Sequence, residues 1–236
     1  MIFGHRPAWV IQRIKFYLLR YLDPVEINSV NEKRVLAELD WEQINFNRIS
    51  VVVSTIAKFS RPIKYLEIGC FKNDLFNSVP CLYKVGVDPV CGGNVRLKSD
   101  EFFADNTTVF DIVFIDGLHH YEQCWRDLKN ALSCLSPDGF VLLHDVLPRS
   151  VLEQTVPRMS AHWTGDCWKV LFDIIDNAHL ELIVVSVDHG IGIVSFKGEK
   201  PADLNLKRLQ DEKTFEYFLD NVSKIEVVDS STFFNH

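Results

Sequence analysis

Residues 111–145, DIVFIDGLHHYEQCWRDLKNALSCLSPDGFVLLHD, read as strand, helix, strand. DIVFI (111–115) is a short apolar run that stops at Asp116-Gly117. Tyr121, Cys124, Trp125, Leu128, Ala131, Leu132 and Leu135 then recur at helical spacing, with Glu122, Arg126, Asp127 and Lys129 on the other face. Ser136-Pro137-Asp138-Gly139 supplies a break, and FVLLH (140–144) reads as a second buried strand ending at His144-Asp145. Two parallel strands joined by one helix end on the same edge of a sheet. Asp116, His119, His120, His144 and Asp145 are therefore predicted to crowd one rim, the edge where open α/β sheets bind ligands.

Outward from that unit, strands and helices alternate. KYLEIG (64–69) is a strand with a glycine turn, KNDLFNSV (72–79) a short helix, and YKVGVD (83–88) a second strand. Val95-Arg96-Leu97 is a short third strand, and SDEFFADN (99–106) starts a helix with acids in its first turn. After an irregular stretch, 146–166, CWKVLFDIIDN (167–177) is helical, and 180–188 with 191–196 forms a closing hairpin. Residues 202–222 read as a helix and 223–236 as a mobile tail. Upstream, 8–22, 31–39 and 42–59 read as helices. The expected architecture is a Rossmann-like α/β three-layer sandwich. Its seven-stranded sheet is mostly parallel with an antiparallel last strand, and an N-terminal helical cap is added. The expected division is 1–60 cap, 61–200 core and 201–236 C-terminal helix and tail.

The chain has 236 residues, 47% hydrophobic and 24% charged, which suits one decorated soluble domain. A net charge of −7 gives no electrostatic basis for nucleic-acid binding. Residues 1–22 hold four of the 25 bases and no acid, so the rest sets 21 bases against 32 acids. The basic helix at 8–22 either packs on the domain or a partner subunit, making a homo-oligomer, or lies weakly on a membrane surface. No apolar run is long enough to span a bilayer. Six cysteines without CxxC pairing fit reduced thiols in a cytoplasmic protein.

Glu67 and Asp88 end the first two strands, 21 residues apart. An acid at about that distance takes the ribose hydroxyls in nucleotide-binding α/β folds, because a carboxylate accepts two hydrogen bonds from a cis-diol. The bland alternative is that Asp88 caps a turn before Pro89. A dinucleotide needs three glycines to approach its pyrophosphate. The turn Gly69-Cys70-Phe71-Lys72-Asn73-Asp74 has one, which argues against NAD. S-adenosylmethionine has no phosphate, and its amine and sulfonium suit the nearby acids.

YLEIG (65–69), VGVDP (85–89), SDEFF (99–103), FDIVFIDGLHHYE (110–122), LSPDGFVLLHD (135–145) and WTGDCWK (163–169) together resemble the class I S-adenosylmethionine-dependent methyltransferases. They look closest to a small bacterial group marked by IDGxHxYE, the methyltransferase domain family 24 type. The resemblance implies that Glu67 and Gly69 meet the methionine part of the cofactor. It likewise implies that Asp88 meets the ribose, Asp100 the adenine amine, and Asp116 the region of the methyl group. Asn73 stands where such proteins usually carry a second glycine, a departure that leaves a non-catalytic member possible.

Methyl transfer needs a positioned nucleophile and a base for its proton. His119, His144 and Asp116 are the candidates, each histidine set against a purely structural role. A catechol O-methyltransferase-like pattern would place a divalent metal on Asp116, His144 and Asp145. The histidine there suits manganese, iron or zinc better than magnesium, and Asp116, His119 and His144 form an alternative set. The tryptophans around Gly165-Asp166 either line an acceptor pocket or belong to a capped helix start. The expected activity is O-methylation of a hydroxyl on a small molecule or glycan. The rivals are a non-catalytic scaffold of the same fold and a nucleotide-sugar or NAD enzyme.

Overall fold

The computed structural model describes residues 46–208 and 213–234. The expected helices at 8–22 and 31–39, with the membrane contact assigned to the first, lie outside them. Seven strands form one sheet: β1 (Lys64–Ile68), β2 (Tyr83–Val87), β3 (Phe110–Ile115), β4 (Leu135–His144), β5 (Leu180–Val185), β6 (Ile191–Phe196) and β7 (Val227–Val228). Their order is β2-β1-β3-β4-β6-β5-β7. Only β6 runs against its neighbours, pairing antiparallel with both β4 and β5. This is the Rossmann-like α/β arrangement that the alternating pattern called for.

The strands' two-residue period divides the core into two layers. Leu66, Val113, Ile115, Val141 and Leu143 face one side, with α4 (Tyr121–Ser133) and the turn Cys167–Val170. Tyr65, Ile112, Phe114 and Leu142 face the other, with α1 (Arg48–Ile56) and α2 (Asp74–Ser78). The two remaining early elements, α3 (Ser99–Asp105) and α5 (Leu171–Ile174), lie near the sequence positions expected for them.

Four expectations change. Val95-Arg96-Leu97 is not a strand: only Val95 makes one bridge, to Val87. Asn94 and Val95 instead turn back onto Gly86 O, and Arg96 onto the backbone oxygens of Asp88 and Gly92. The seventh strand comes from the far end, where Val184 and Ser186 N donate to the carbonyls of Glu226 and Val228. The 223–236 stretch, read as a tail, is thus partly sheet. It continues into α7 (Ser230–Phe234), whose Phe234 stacks on Phe46 with ring centroids 4.2 Å apart. The helix expected over 202–222 shrinks to α6 (Phe215–Asn221), with Thr214 capping it at Tyr217 N. Finally, Ser136–Gly139 does not interrupt β4 but bulges within it. Leu135 pairs with Phe110 and Phe140 with Ile112, and Arg61 holds the bulge by bonding both Asp111 and Asp138 at 2.8 Å.

Candidate active site

Among the described residues, six non-glycine residues have positive φ: Phe71, Asn73, His119, Asp145, Asp188 and His189. All lie in loops just past β1, β3, β4 and β5. Side chains rarely adopt this conformation without an external reason, and such strain gathers at functional sites. The strand ends predicted to form a rim are therefore also where the backbone is most constrained.

Two of these residues, His119 and Asp145, belong to a cluster with Asp116 and His144. Asp116 directly follows β3, His144 ends β4, and His119 and Asp145 come next along the chain. His119 Nε2 lies 2.9 Å from Asp116 Oδ1, and its Nδ1 lies 3.1 Å from Asp145 Oδ2. His144 Nδ1 lies 3.2 Å from the same Asp116 oxygen and 3.3 Å from Asp145 Oδ1. One carboxylate oxygen thus serves two imidazoles.

Two further residues, unmarked by the sequence motifs, complete the cluster. Arg48, in the first turn of α1, donates from Nη1 to Asp116 Oδ2 at 2.6 Å. It also donates from Nε to Asp188 Oδ2 at 2.6 Å and from Nη2 to Asp188 Oδ1 at 3.1 Å. Asp188 Oδ1 lies 3.6 Å from His144 Nε2. Charge and burial push these groups in opposite directions. Burial disfavours the imidazolium of His144, yet Asp145 and Asp116 overcome it and raise its pKa well above the usual range. His119 follows the same pattern. Burial likewise opposes ionisation of Asp116 and Asp188, but the surrounding cations hold both below the ordinary carboxylate range.

The remaining expected site residues have different surroundings. Glu67 is 2% exposed and accepts Tyr65 Oη at 2.6 Å. Burial is the main reason its pKa rises to about 7, and Asp116 adds to the rise. Gly69 has φ +84°, and a Cβ there would lie 2.0 Å from Asp116 O, so the turns after β1 and β3 touch backbone to backbone. Asp88 accepts four amides: Cys70 and Phe71 N on Oδ2 at 3.0 Å, and Val90 and Cys91 N on Oδ1 at 2.8 and 2.9 Å. Those bonds take up its acceptor positions, the turn-capping alternative in geometric form. Asp100 is half-exposed and pairs with Arg126 at 3.3 Å. Asp127, buried beside Gly117, has its pKa pushed up to about 6 by that burial. Gln123 Nε2 donates to Asp127, Ser99 and Asp100. So Asp116, His119, His144 and Asp145 come together and Glu67 senses them, while Asp88 and Asp100 belong to other bonding sets.

Asn73, at the departure from the resemblance, has φ +68°. Asparagine tolerates this region better than most residues. Its Oδ1 accepts Gly93 N at 2.6 Å, so it keeps a glycine-like backbone and ties the loop after β2 to the turn after β1.

The WTGDCWK segment divides. Trp168 is fully buried core, and Asp166 accepts Tyr121 N at 2.6 Å, capping α4 from 45 residues away. Trp163 stacks on His119 at 5.1 Å and carries the Arg158 guanidinium at 5.6 Å from its ring centre. Trp163 is half-buried, so one part of its ring faces His119 and Arg158 while another stays accessible. Gly165 passes so close to His119 O that a Cβ would lie 1.8 Å from it. All six cysteines are free thiols.

Asp116, His144 and Asp145 offer ligand atoms that lie within 4.8 Å of one another. Two oxygens and one imidazole nitrogen form a donor set compatible with manganese, iron or zinc. Among the described residues, no helix is long and apolar enough to cross a membrane.

Residues 88–146 match the family model of a methyltransferase domain. That segment contains Asp88, Asp100, Asp116, His119, His144 and Asp145, and is about a quarter of the chain. No curated protein matches. Among solved structures, the chain is similar to the S-adenosylhomocysteine-bound methyltransferase PaMTH1 of Podospora anserina, at 15% identity over 83% of this chain and 100% of that one, with a TM-score of 0.46. A candidate O-methyltransferase of Klebsiella pneumoniae is 13% identical over 78% and 96%, at 0.48. The N-methyltransferase NodS of Bradyrhizobium japonicum WM9 is 15% identical over 64% and 94%, at 0.42. Those scores are low, and the fold assignment rests on strand order and direction.

Proposed function

We propose that the chain is an S-adenosylmethionine-dependent methyltransferase acting on a hydroxyl of a small molecule or sugar. One observation carries the reading. The segment that matches a methyltransferase domain is the segment that delivers Asp116, His119, His144 and Asp145 to one strained, charged rim.

Beside the balanced Asp116 cluster, the rim offers carboxyl groups and bare turn backbone to a phosphate-free ligand. Glu67 near the end of β1, Asp116 after β3 and Asp127 beside Gly117 bring carboxyl groups to the turns after β1 and β3, which meet backbone to backbone at Gly69. S-adenosylmethionine, when bound there, supplies an activated methyl group on a sulfonium. Glu67 and Gly69 are the residues to hold its methionine part, and Asp100 its adenine. Asp88 acts on the ribose only if it releases amides it now accepts.

The remaining chemistry belongs to the chain. An acceptor hydroxyl must lose its proton as its oxygen attacks carbon, and His144 or His119 is the group to take it. The carboxylates around both imidazoles raise their pKa against the opposing effect of burial. An imidazolium cannot accept a proton, so activity should rise with pH as the base loses its proton, with a midpoint above that of a free imidazole. Titration calorimetry with S-adenosylmethionine tests the reading. Saturable binding is expected, and its absence at millimolar ligand would favour a non-catalytic scaffold of this fold. Binding of NAD in its place would favour the nucleotide enzyme.

A second reading is favoured by the Asp116, His144 and Asp145 arrangement: these residues hold a transition-metal ion that lowers the pKa of the acceptor hydroxyl. Activity unaffected by EDTA rules that reading out.

A further inference from the structure

We propose that Arg48 and Asp188 form a positioning clamp that sets the orientation of Asp116 toward His119 and His144. The inference rests on reading those residues as the reacting centre. Neither clamp residue lies in the segment that matches the methyltransferase domain.

The geometry is specific. Asp116 has two carboxylate oxygens with separate duties. Oδ2 accepts Arg48 Nη1, and Oδ1 faces both imidazoles. Without the guanidinium, the carboxylate could rotate and offer either oxygen to either ring. Arg48 is itself fixed from the opposite side, where Asp188 accepts its Nε, its Nη2 and its backbone N. A planar guanidinium can bridge two carboxylates in this way, whereas a lysine ammonium is a point charge.

Asp188 is held by its loop. Asp188, His189 and Gly190 have successive positive φ values of 47°, 63° and 88°, and a Cβ on Gly190 would lie 2.5 Å from the Leu147 side chain. The same loop accepts Val146 N through Gly190 O and Leu147 N through His189 O, immediately beyond His144-Asp145. The β5–β6 connection therefore registers both ends of the cluster: it carries Asp188 and is bonded to the chain leaving β4. At the other end, Asn47 caps α1 through Ile49 N and Ser50 N, and Val51 and Val52 anchor the helix in the core. Both jaws thus stand on rigid supports.

The test uses the full chain and long-range proton–nitrogen spectra of its histidine rings, which report ring hydrogen bonding and tautomer. Arg48→Met and Asp188→Asn should each displace the ring signals of His119, which bonds Asp116 and Asp145 rather than either clamp residue. The double variant should shift them no further than Arg48→Met alone, because the two act as a unit. Arg48→Lys should restore the wild-type positions only in part. Val52→Ala loosens the same helix without touching the rim and should leave the ring signals in place. Ring signals unmoved in Arg48→Met, additive shifts in the double variant, or an equal shift in Val52→Ala would each overturn the clamp. Should Arg48→Met fail to fold, Arg48→Lys and Asp188→Asn decide on the same criteria. Wild-type calorimetry with S-adenosylmethionine reports separately on the methyltransferase reading, so the two ideas can fail independently.

Discussion

Asp88 and Asp116 are alike in sequence, each an acid directly after a parallel strand, and unlike in what they bond. Asp88 is held mainly by backbone: four amides converge on its two oxygens, with the Arg96 guanidinium 3.7 Å from Oδ1. Asp116 is surrounded by side chains that can gain, lose or exchange a proton or a partner: His119, His144 and Arg48. The first arrangement fixes a loop, since amides do not titrate. The second can take part in chemistry, since its partners can. An acid at a strand tip is therefore not one kind of signal.

The contrast can be broken or sharpened by experiment. The largest effect should come at the exchangeable centre. His144→Gln should lower methyl transfer from labelled S-adenosylmethionine by about 100-fold to 10,000-fold, the usual range for a lost general base. A smaller loss would demote His144 to a structural residue. Next comes the fixed acid. Asp88→Ala leaves four amides without their acceptor and should cost about 3 kcal/mol or more in chemical denaturation. A full-strength fold with weakened cofactor binding would instead restore the ribose role.

Glu67 tests burial on its own. Its carboxyl normally titrates at 4.5 and here at about 7, so the folded state holds a proton that the unfolded chain has already released. Its contribution to stability is complete below pH 4.5 and is lost as pH rises through 7. The gap amounts to about 3 kcal/mol. Glu67→Gln should therefore gain stability relative to the natural chain at pH 8 and match it at pH 4, read from denaturation midpoints at both values. The smallest effect belongs to Asp100, whose exposed pair with Arg126 should be worth under about 0.5 kcal/mol. A drop in S-adenosylmethionine affinity in Asp100→Ala without a change in stability would give it the adenine role.

Much of the sheet was legible because burial leaves a periodic trace. Apolar runs ending in acids marked β1, β2, β3 and β4, and helical spacing marked α4. Misreadings arose where local chemistry was ambiguous. Ser136–Gly139 carries the residues of a turn, yet Arg61 holds it extended as a bulge. Val95 has the apolar, β-branched character of a strand residue, but its neighbours return to Gly86 and Asp88. Val227-Val228 is too short to announce itself, and only the open edge of β5 makes it a strand.

Sequence alone determined that an α/β sheet would gather Asp116, His119, His144 and Asp145 at one edge, because alternation and chain direction are properties of the chain itself. It could not determine which of those groups would share a proton, or that Arg48 would meet Asp188 across 140 residues. Side-chain partnerships of that kind depend on distances of a few ångströms between segments that are brought together only by packing α1 and the β5–β6 loop onto the same rim.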